Sequence, residues 1–336
     1  MKFKIFIISL IIFITFIVNL FNQIIVSNLY NFKTGTSLTS RENWYGMCND
    51  IMDFKIKNLD IIFIGDSHIY SGINLEVLNE KREKLILTCS LPSISFKNNI
   101  ILFDKLNNKY DPTKIFIGLS PFQFLIADQE KENQRKNQFS KLNYENPYSF
   151  QFHSLKKIIQ HFTNSVSEKE IALKQTKFLE AQNKKFFDNF NKSIENQIKN
   201  VLKKRYNTYQ MNDLENNNII NSLCLNYKRY NKKIIFLDVP TPDYFNQNFI
   251  FYKKYKDYVN KISQCFTVIN SKEITKLNDK RYFFDRYFKF NENKGNNEFL
   301  NNNLYDISHL NYAGAYTYTN FIFNKFKKDI KQNFDE

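Results

Sequence analysis

Short apolar runs recur along the chain and are separated by polar stretches. Each run holds four to six apolar residues, rich in Ile and Phe, and is bounded by Lys or turn residues, which is typical of strands buried on both faces. The runs are LDIIFIG at 59–65, KLILTCS at 84–90, KIFIGLS at 114–120, KKIIFLDVP at 232–240 and, more weakly, CFTVINS at 265–271. We therefore predict five strands.

The polar stretches between the runs carry a helical spacing. One example has apolar side chains at steps of three and four, at Phe96, Ile100, Phe103 and Leu106. Strand signals that alternate with helix signals indicate a parallel sheet covered on both sides. The predicted fold class is therefore α/β with a parallel central sheet.

The interval between the third and fourth runs, about 121–225, is too long for a single crossover. Its second half has apolar residues at helical steps, at Phe187, Phe190, Ile194, Ile198 and Val201. We predict a helical insertion, a subdomain or a lid. Its Lys-rich faces are either ordinary solvated helix faces, which is the favoured interpretation, or surfaces that meet anionic polymers or the membrane.

The N-terminus begins with Lys2 and Lys4, followed by a charge-free run from Ile5 to Val26. A run of this length can cross a bilayer as one helix, and the layout also fits a signal peptide. No small-x-small cleavage triplet follows it. We predict an uncleaved signal anchor over 1–28, a connector over 29–58, and an extracytoplasmic domain over 59–330. A buried helix is the alternative, which the all-round apolar face disfavours.

The formal net charge is +15, from 48 basic and 33 acidic residues. It favours anionic partners in general, whether nucleic acid, acidic lipid or anionic glycan. The predicted anchor places the domain on the wrong side of the membrane for nucleic acid. The cysteines, Cys48, Cys89, Cys224 and Cys265, form no metal-binding motif, so we expect no metal and no cofactor. Whether they pair, and in which of three ways, is left open.

The first strand ends in GDSHIY, which places Ser67 just past its carboxyl end. Ligands of parallel sheets collect at that edge. A serine nucleophile needs a base, and His309 is the best placed of the four histidines. Asp306 precedes His309 by three residues, a spacing that lets a carboxylate orient an imidazole. The order Ser, Asp, His indicates acyl-transfer chemistry.

The stretches FIGDSHIY and YDISHLNYAG resemble the first and last sequence blocks of the SGNH/GDSL hydrolase superfamily. The resemblance covers about 59–120 and 230–328. It implies a flavodoxin-like three-layer α/β/α fold. It also implies that Ser67 is the nucleophile, His309 the base and Asp306 the residue that orients the base.

The middle blocks depart from the family pattern. The stretch TCSLPSISF has Ser90 and Ser93 where the family often has an oxyanion-hole glycine. The stretch GLSPFQF keeps Gly118, but Ser120 or Gln123 stands where an asparagine donor is usual. We expect the Ser67 N–H and a donor from the Ser90–Ser93 turn to form the oxyanion hole. Ser120 or Gln123 would supply a side-chain donor.

This departure, together with the single predicted anchor, is similar to the family's branch that handles cell-surface polymers. That branch includes proteins of alginate O-acetylation and teichoic-acid D-alanylation, which work beside a multi-spanning membrane acyltransferase. The favoured hypothesis is a membrane-anchored acyltransferase or esterase acting on an exported glycan or cell-envelope polymer. A general carboxylesterase or lipase and a non-catalytic partner that keeps the fold are the alternatives.

Overall fold

The computed structural model describes residues 2–29, 48, 51–52, 59–79, 85–126, 168–181, 200, 209–278, 280–283 and 308–331. Its strands are β1 (Leu59–Gly65), β2 (Leu85–Ser90), β3 (Lys114–Leu119), β4 (Leu125–Ile126), β5 (Gln210–Met211), β6 (Ile234–Asp238) and β7 (Thr267–Ile269). Its helices are α1 (Lys2–Leu29), α2 (Ser67–Gly72), α3 (Leu75–Asn79), α4 (Phe96–Tyr110), α5 (Glu168–Ala181), α6 (Asp213–Tyr227), α7 (Asp243–Asn248), α8 (Tyr252–Ser263) and α9 (Tyr312–Lys331).

Five strands form one parallel sheet in the order β2-β1-β3-β6-β7. These strands lie in the five apolar runs, so the predicted α/β class with a parallel central sheet is confirmed. The order is that of flavodoxin-like sheets. In such a sheet the strand order reverses beside β1, which places the carboxyl ends of β1 and β3 at a natural binding crevice.

Helices pack on both faces of this sheet. On one face, Phe63 stacks on Phe116 with ring centroids 4.6 Å apart, and Phe116 meets Phe326 of α9 at 5.4 Å. On the other, Phe236 contacts Phe96 of α4 at 6.5 Å. Phe116 pairs in register with Ile235, the neighbour of Phe236, and adjacent strand residues point to opposite faces. The arrangement is compatible with three layers.

The helical spacing read in residues 96–106 belongs to α4. The Ser95 hydroxyl caps this helix by accepting the Asn98 N–H at 3.3 Å. The apolar side chains at the predicted positions are buried, namely Phe96, Ile100, Phe103 and Leu106. Burial of this stripe, rather than intrinsic helix propensity, is what stabilises a helix of this length.

A short antiparallel pair closes the base of the insertion. Leu125 pairs with Met211 and Ile126 with Gln210, which brings the two ends of the intervening segment together. Within the segment, α5 packs on α9, where the Gln175 Oε1 accepts the Ala313 N–H at 3.1 Å. The predicted helical repeat at 187–201 lies outside the described residues, except for residue 200.

Helix α6 contributes to the main core, although the sequence placed the insertion's end near residue 225. Ile220 and Leu223 are buried in the same apolar cluster as the central strands. The side-chain amide of Asn216 donates to the Phe124 carbonyl oxygen at 2.9 Å. The helix therefore packs as part of the α/β unit, and a helical pattern alone cannot distinguish such a crossover helix from an inserted one.

The N-terminal run forms α1, and the apolar side chains described on it are mostly exposed. Among the helices in the described part of the chain, none has the length and apolarity needed to cross a membrane. The signal anchor stays a prediction.

The end of the predicted connector is attached to the domain. Cys48 and Ile51 are fully buried, and the Ile51 carbonyl oxygen accepts the Tyr110 hydroxyl at 2.5 Å and the Lys109 ammonium at 3.1 Å. Cys48 also forms a disulfide with Cys89 of β2. The remaining connector residues, except Leu29 and Met52, lie outside the described part of the chain.

The second disulfide joins Cys224 of α6 to Cys265, just before β7. Together the two bonds use all four cysteines and select one of the three pairings that the sequence left open. Disulfides persist in oxidising compartments and are rare in the cytosol of most organisms.

Peptide mapping of the unreduced protein is expected to find the two linked pairs, Cys48–Cys89 and Cys224–Cys265. Because each bond closes a loop with a sequence separation of 41 residues, replacing both members of the second pair by Ser should lower the free energy of unfolding by about 2–4 kcal/mol. Urea denaturation measures the change. Free thiols, or a Cys48–Cys224 link, would contradict the assignment.

Candidate active site

Ser67 and His309 meet at the carboxyl edge of the sheet. Ser67 is the first residue of α2, directly after the turn that ends β1. His309 lies just before α9. The His309 Nε2 lies 2.7 Å from the Ser67 Oγ, across 242 residues of chain. This is the distance and pairing that a serine nucleophile and its general base require.

Asp306, the predicted orienting carboxylate, lies outside the described residues. Its role therefore stays a prediction. The remaining predicted residues, Ser90, Ser93, Ser120 and Gln123, are all described.

Two glycines let α2 lie close to the sheet. A Cβ atom on Gly65 would stand 2.4 Å from the Ile69 Cγ1, and one on Gly118 would stand 2.1 Å from the same atom. Real Cβ atoms do not approach other atoms so closely. Because Ile69 lies two residues after Ser67, these glycines set the depth at which α2 holds the nucleophile.

Asp66 lies between β1 and Ser67 and is almost completely buried. Its carboxylate accepts the His68 backbone N–H at 2.9 Å, the His68 Nδ1–H at 3.1 Å and the Ser120 hydroxyl. Burial by itself would raise the pKa of Asp66, but the charge and hydrogen bonds of His68, with the Ser120 bond, lower it to about 2. Asp66 is thus ionised at neutral pH.

The His68 ring reaches the other side of the site. Its Nε2 lies 3.0 Å from the Ser308 Oγ. The ring stacks on the His309 ring with centroids 4.3 Å apart, and on the Phe122 ring at 5.3 Å. The sequence analysis selected His309 from the four histidines and gave His68 no role. The available signal was that His68 and Ser308 directly flank the two predicted catalytic residues.

The side chains expected in the oxyanion hole have partners inside the protein. The Ser90 hydroxyl pairs with the Thr88 hydroxyl at 2.7 Å, and the Ser120 hydroxyl donates to Asp66. The Gln123 side-chain amide donates to the Gly118 carbonyl oxygen at 3.0 Å. Among the described residues, none of these three side chains forms a hydrogen bond with Ser67.

Ser93 lies in the turn after β2 with a φ of 57°, in the left-handed region. The Leu91 N–H before it donates to the Gly65 carbonyl oxygen at 2.9 Å, which ties this turn to the end of β1. Among the hydrogen bonds of the described residues, neither the Ser67 N–H nor the Ser93 N–H is a donor.

Within the described part of the chain, no group of three or more His, Cys, Asp or Glu side chains is arranged to hold a metal ion. The chain matches no protein-family model, no curated protein and no solved structure. The resemblance to the SGNH/GDSL superfamily therefore rests on the two motifs.

The contact between Ile69 and Gly118 gives a stability test. Gly118→Ala should lower the free energy of unfolding by about 1–3 kcal/mol, because the added methyl group overpacks against Ile69. In an Ile69→Ala background the same substitution should cost clearly less, because the clashing side chain is gone. Urea denaturation of the wild type, the two single variants and the double variant measures the coupling energy between Gly118→Ala and Ile69→Ala. An equal cost of Gly118→Ala in both backgrounds would contradict the packing account.

Proposed function

We propose that the chain is a membrane-anchored, extracytoplasmic serine acyltransferase or esterase of the SGNH type, with a three-layer α/β/α domain. Its substrate is an exported glycan or another cell-envelope polymer. The observation that carries the proposal is the 2.7 Å contact between the Ser67 Oγ and the His309 Nε2. Its location supports the same chemistry, because parallel sheets of this order bind ligands at this edge.

In this reaction His309 takes the Ser67 hydroxyl proton while the Ser67 Oγ attacks the acyl carbonyl carbon. The resulting imidazolium gives the proton to the leaving alcohol, and an acyl-Ser67 ester remains. Water or a sugar hydroxyl then loses its proton to His309 and attacks the ester. The products are a free acid or an acylated sugar, and Ser67 is regenerated. Asp306 would hold the His309 ring through its other nitrogen.

We assign the oxyanion hole to the backbone N–H groups of Ser67 and Ser93. Neither group donates to an acceptor among the hydrogen bonds of the described residues. Each removed oxyanion donor typically costs about 100- to 1000-fold in rate. Ser90, Ser120 and Gln123 then support the loops around the oxyanion, through their bonds to Thr88, Asp66 and the Gly118 carbonyl oxygen.

The two disulfides support an extracytoplasmic domain, because such bonds persist in oxidising compartments. The anchor would be the charge-free run from Ile5 to Val26, in which the side chains of Ile8, Ile12 and Phe13 are each more than half exposed. Lys2 and Lys4 would stay in the cytoplasm. The partners that follow are the membrane, an anionic or neutral surface polymer, and a multi-spanning membrane acyltransferase that delivers the acyl group.

A non-catalytic partner protein is the second candidate, favoured by one observation. The side chains that stand where the family has an asparagine donor, Ser120 and Gln123, donate to Asp66 and to Gly118 instead. A protein that only assembles with an acyltransferase would not need that donor. The contact between Ser67 and His309 favours the enzyme, and the following assay separates the two.

Ser67→Ala and His309→Ala should each lower ester hydrolysis by about 10⁴-fold or more, because nucleophile and base act as a unit. Asp306→Asn should cost the same or less. The assay follows 4-nitrophenyl acetate hydrolysis by the full-length chain and the acyl content of the surface polymer in cells. Ser263→Ala, an exposed serine at the end of α8, is the matched control.

Loss of polymer acylation in Ser67→Ala cells, with only trace ester hydrolysis by the wild-type chain, identifies a transferase. Comparable loss of both activities supports a serine enzyme. Normal acylation in Ser67→Ala cells, with an inert wild-type chain, would contradict the enzyme proposal and leave the non-catalytic partner.

The proposed topology has its own test. A periplasmic-type reporter fused after Glu336 should be active, and a cytoplasmic reporter at the same position inactive, because the domain follows a single anchor with basic residues on its cytoplasmic side. Mass spectrometry of the mature N-terminus is the control. A mature chain that begins near residue 30 would mean a cleaved signal and would contradict the anchor.

A further inference from the structure

We infer that Asp66 and His68 form a positioning pair for the catalytic base. Asp66 holds His68, and the His68 ring, stacked on His309 and bonded to Ser308, fixes the orientation of His309 and stabilises its imidazolium form. The inference rests on the proposed function, because it assigns these residues a role in the same reaction.

The first support is the geometry of the two imidazole rings. Their centroids lie 4.3 Å apart and their planes differ by 21°, so the rings overlap face to face. His68 also stacks on Phe122, with centroids 5.3 Å apart and planes 18° apart. The His68 ring therefore contacts two other rings and is only 4% exposed. A ring fixed in this way restricts how the His309 ring can turn.

The second support is that both His68 nitrogens have partners. Nδ1 faces the Asp66 carboxylate at 3.1 Å, and Nε2 faces the Ser308 hydroxyl at 3.0 Å. Ser308 immediately precedes His309 in the chain. The Ser308 bond therefore ties the loop that carries the base to the turn that carries the nucleophile, across 240 residues. This link acts on the position of His309 without touching the reacting atoms.

The third support is the distribution of charge. An ionised Asp66 carboxylate can only accept hydrogen bonds, so His68 keeps a proton on Nδ1. When His309 takes the Ser67 proton, the negative charge of Asp66, whose carboxylate bonds His68 directly beneath the His309 ring, favours the new imidazolium.

The groups against His68 come from three elements. Asp66 belongs to the turn before α2, Ser308 and His309 to the loop before α9, and Phe122 to the turn after β3. Of these, Asp66 and His309 are the titratable groups. The Ser120 hydroxyl, which donates to Asp66, does not titrate over the pH range of the activity profile. A change of charge at Asp66 should therefore shift the pH at which His309 is protonated.

Asp66→Asn is the sharpest test, because it removes the charge and keeps the hydrogen bonds. The amide oxygen can still accept from the His68 N–H groups, and the amide N–H₂ can donate to Ser120. Loss of the nearby negative charge disfavours the His309 imidazolium. We expect the acid-side midpoint of the pH profile of kcat/KM to fall by about one pH unit. We also expect kcat to fall about 10-fold and KM to stay within about twofold, since binding groups are unchanged.

Two further variants separate the contribution of the His68 nitrogen contacts from that of the Ser308 hydroxyl. His68→Phe keeps a ring that can stack but loses both nitrogen contacts, and should shift the midpoint in the same direction. Ser308→Ala removes the hydroxyl that bonds His68 and keeps the Asp66 charge, so it should lower kcat and leave the midpoint in place. Asp111→Asn is the matched control. Its carboxylate is exposed, pairs with Lys233 at 2.6 Å, and lies before β3, at the opposite edge of the sheet.

A purely structural role predicts a different result. Asp66→Asn would then lower the thermal midpoint, while the wild-type and variant pH profiles would have the same acid-side midpoint. That outcome would overturn the inference.

Failure of the proposed function is distinguishable from failure of this inference. If the wild-type chain does not hydrolyse the ester, the titration of the His309 Cε1–H signal is followed by NMR in the full-length chain, with His309→Gln for assignment. A midpoint lower in Asp66→Asn than in the wild type supports the positioning pair even without turnover. An unchanged midpoint overturns it.

Discussion

The hydrogen bond between the Ser67 hydroxyl and the His309 ring is the interaction on which the rest of the account depends. It joins two loops that are 242 residues apart and that meet only because β1 lies inside a parallel sheet. The close packing of α2 against Gly65 and Gly118 sets where the hydroxyl stands. A stable, tightly packed sheet edge is thus a precondition of the chemistry.

Around that bond the protein buries polar groups that ordinarily favour water. Asp66, His68, Ser120 and Ser308 are each at most 4% exposed, yet their side chains bond to one another. A buried polar network in which each group is hydrogen-bonded rigidifies its surroundings, whereas a buried group without a hydrogen bond would lower the free energy of unfolding. The network therefore holds the turn before α2, the turn after β3 and the loop before α9 in one arrangement.

Local patterns sufficed to predict the five central strands and α4, because burial on both faces leaves a continuous apolar run and burial on one face leaves a helical stripe. They also sufficed to select Ser67, which follows the end of β1, and His309, which follows Asp306 by three residues. Such patterns do not predict which individual side chains contact each other. The disulfide partners, the stacking of His68 on His309 and the bond from Ser120 to Asp66 depend on loops whose mutual position only the folded chain defines.

The most direct test of the central claim is covalent labelling of the full-length chain with a fluorophosphonate, followed by peptide mass spectrometry. An activated serine attacks phosphorus, whereas an ordinary surface serine has no base to take its proton. We expect one adduct, on Ser67, that is absent from the His309→Ala protein. Absence of any adduct, or an adduct on another residue with Ser67 unmodified, would contradict it.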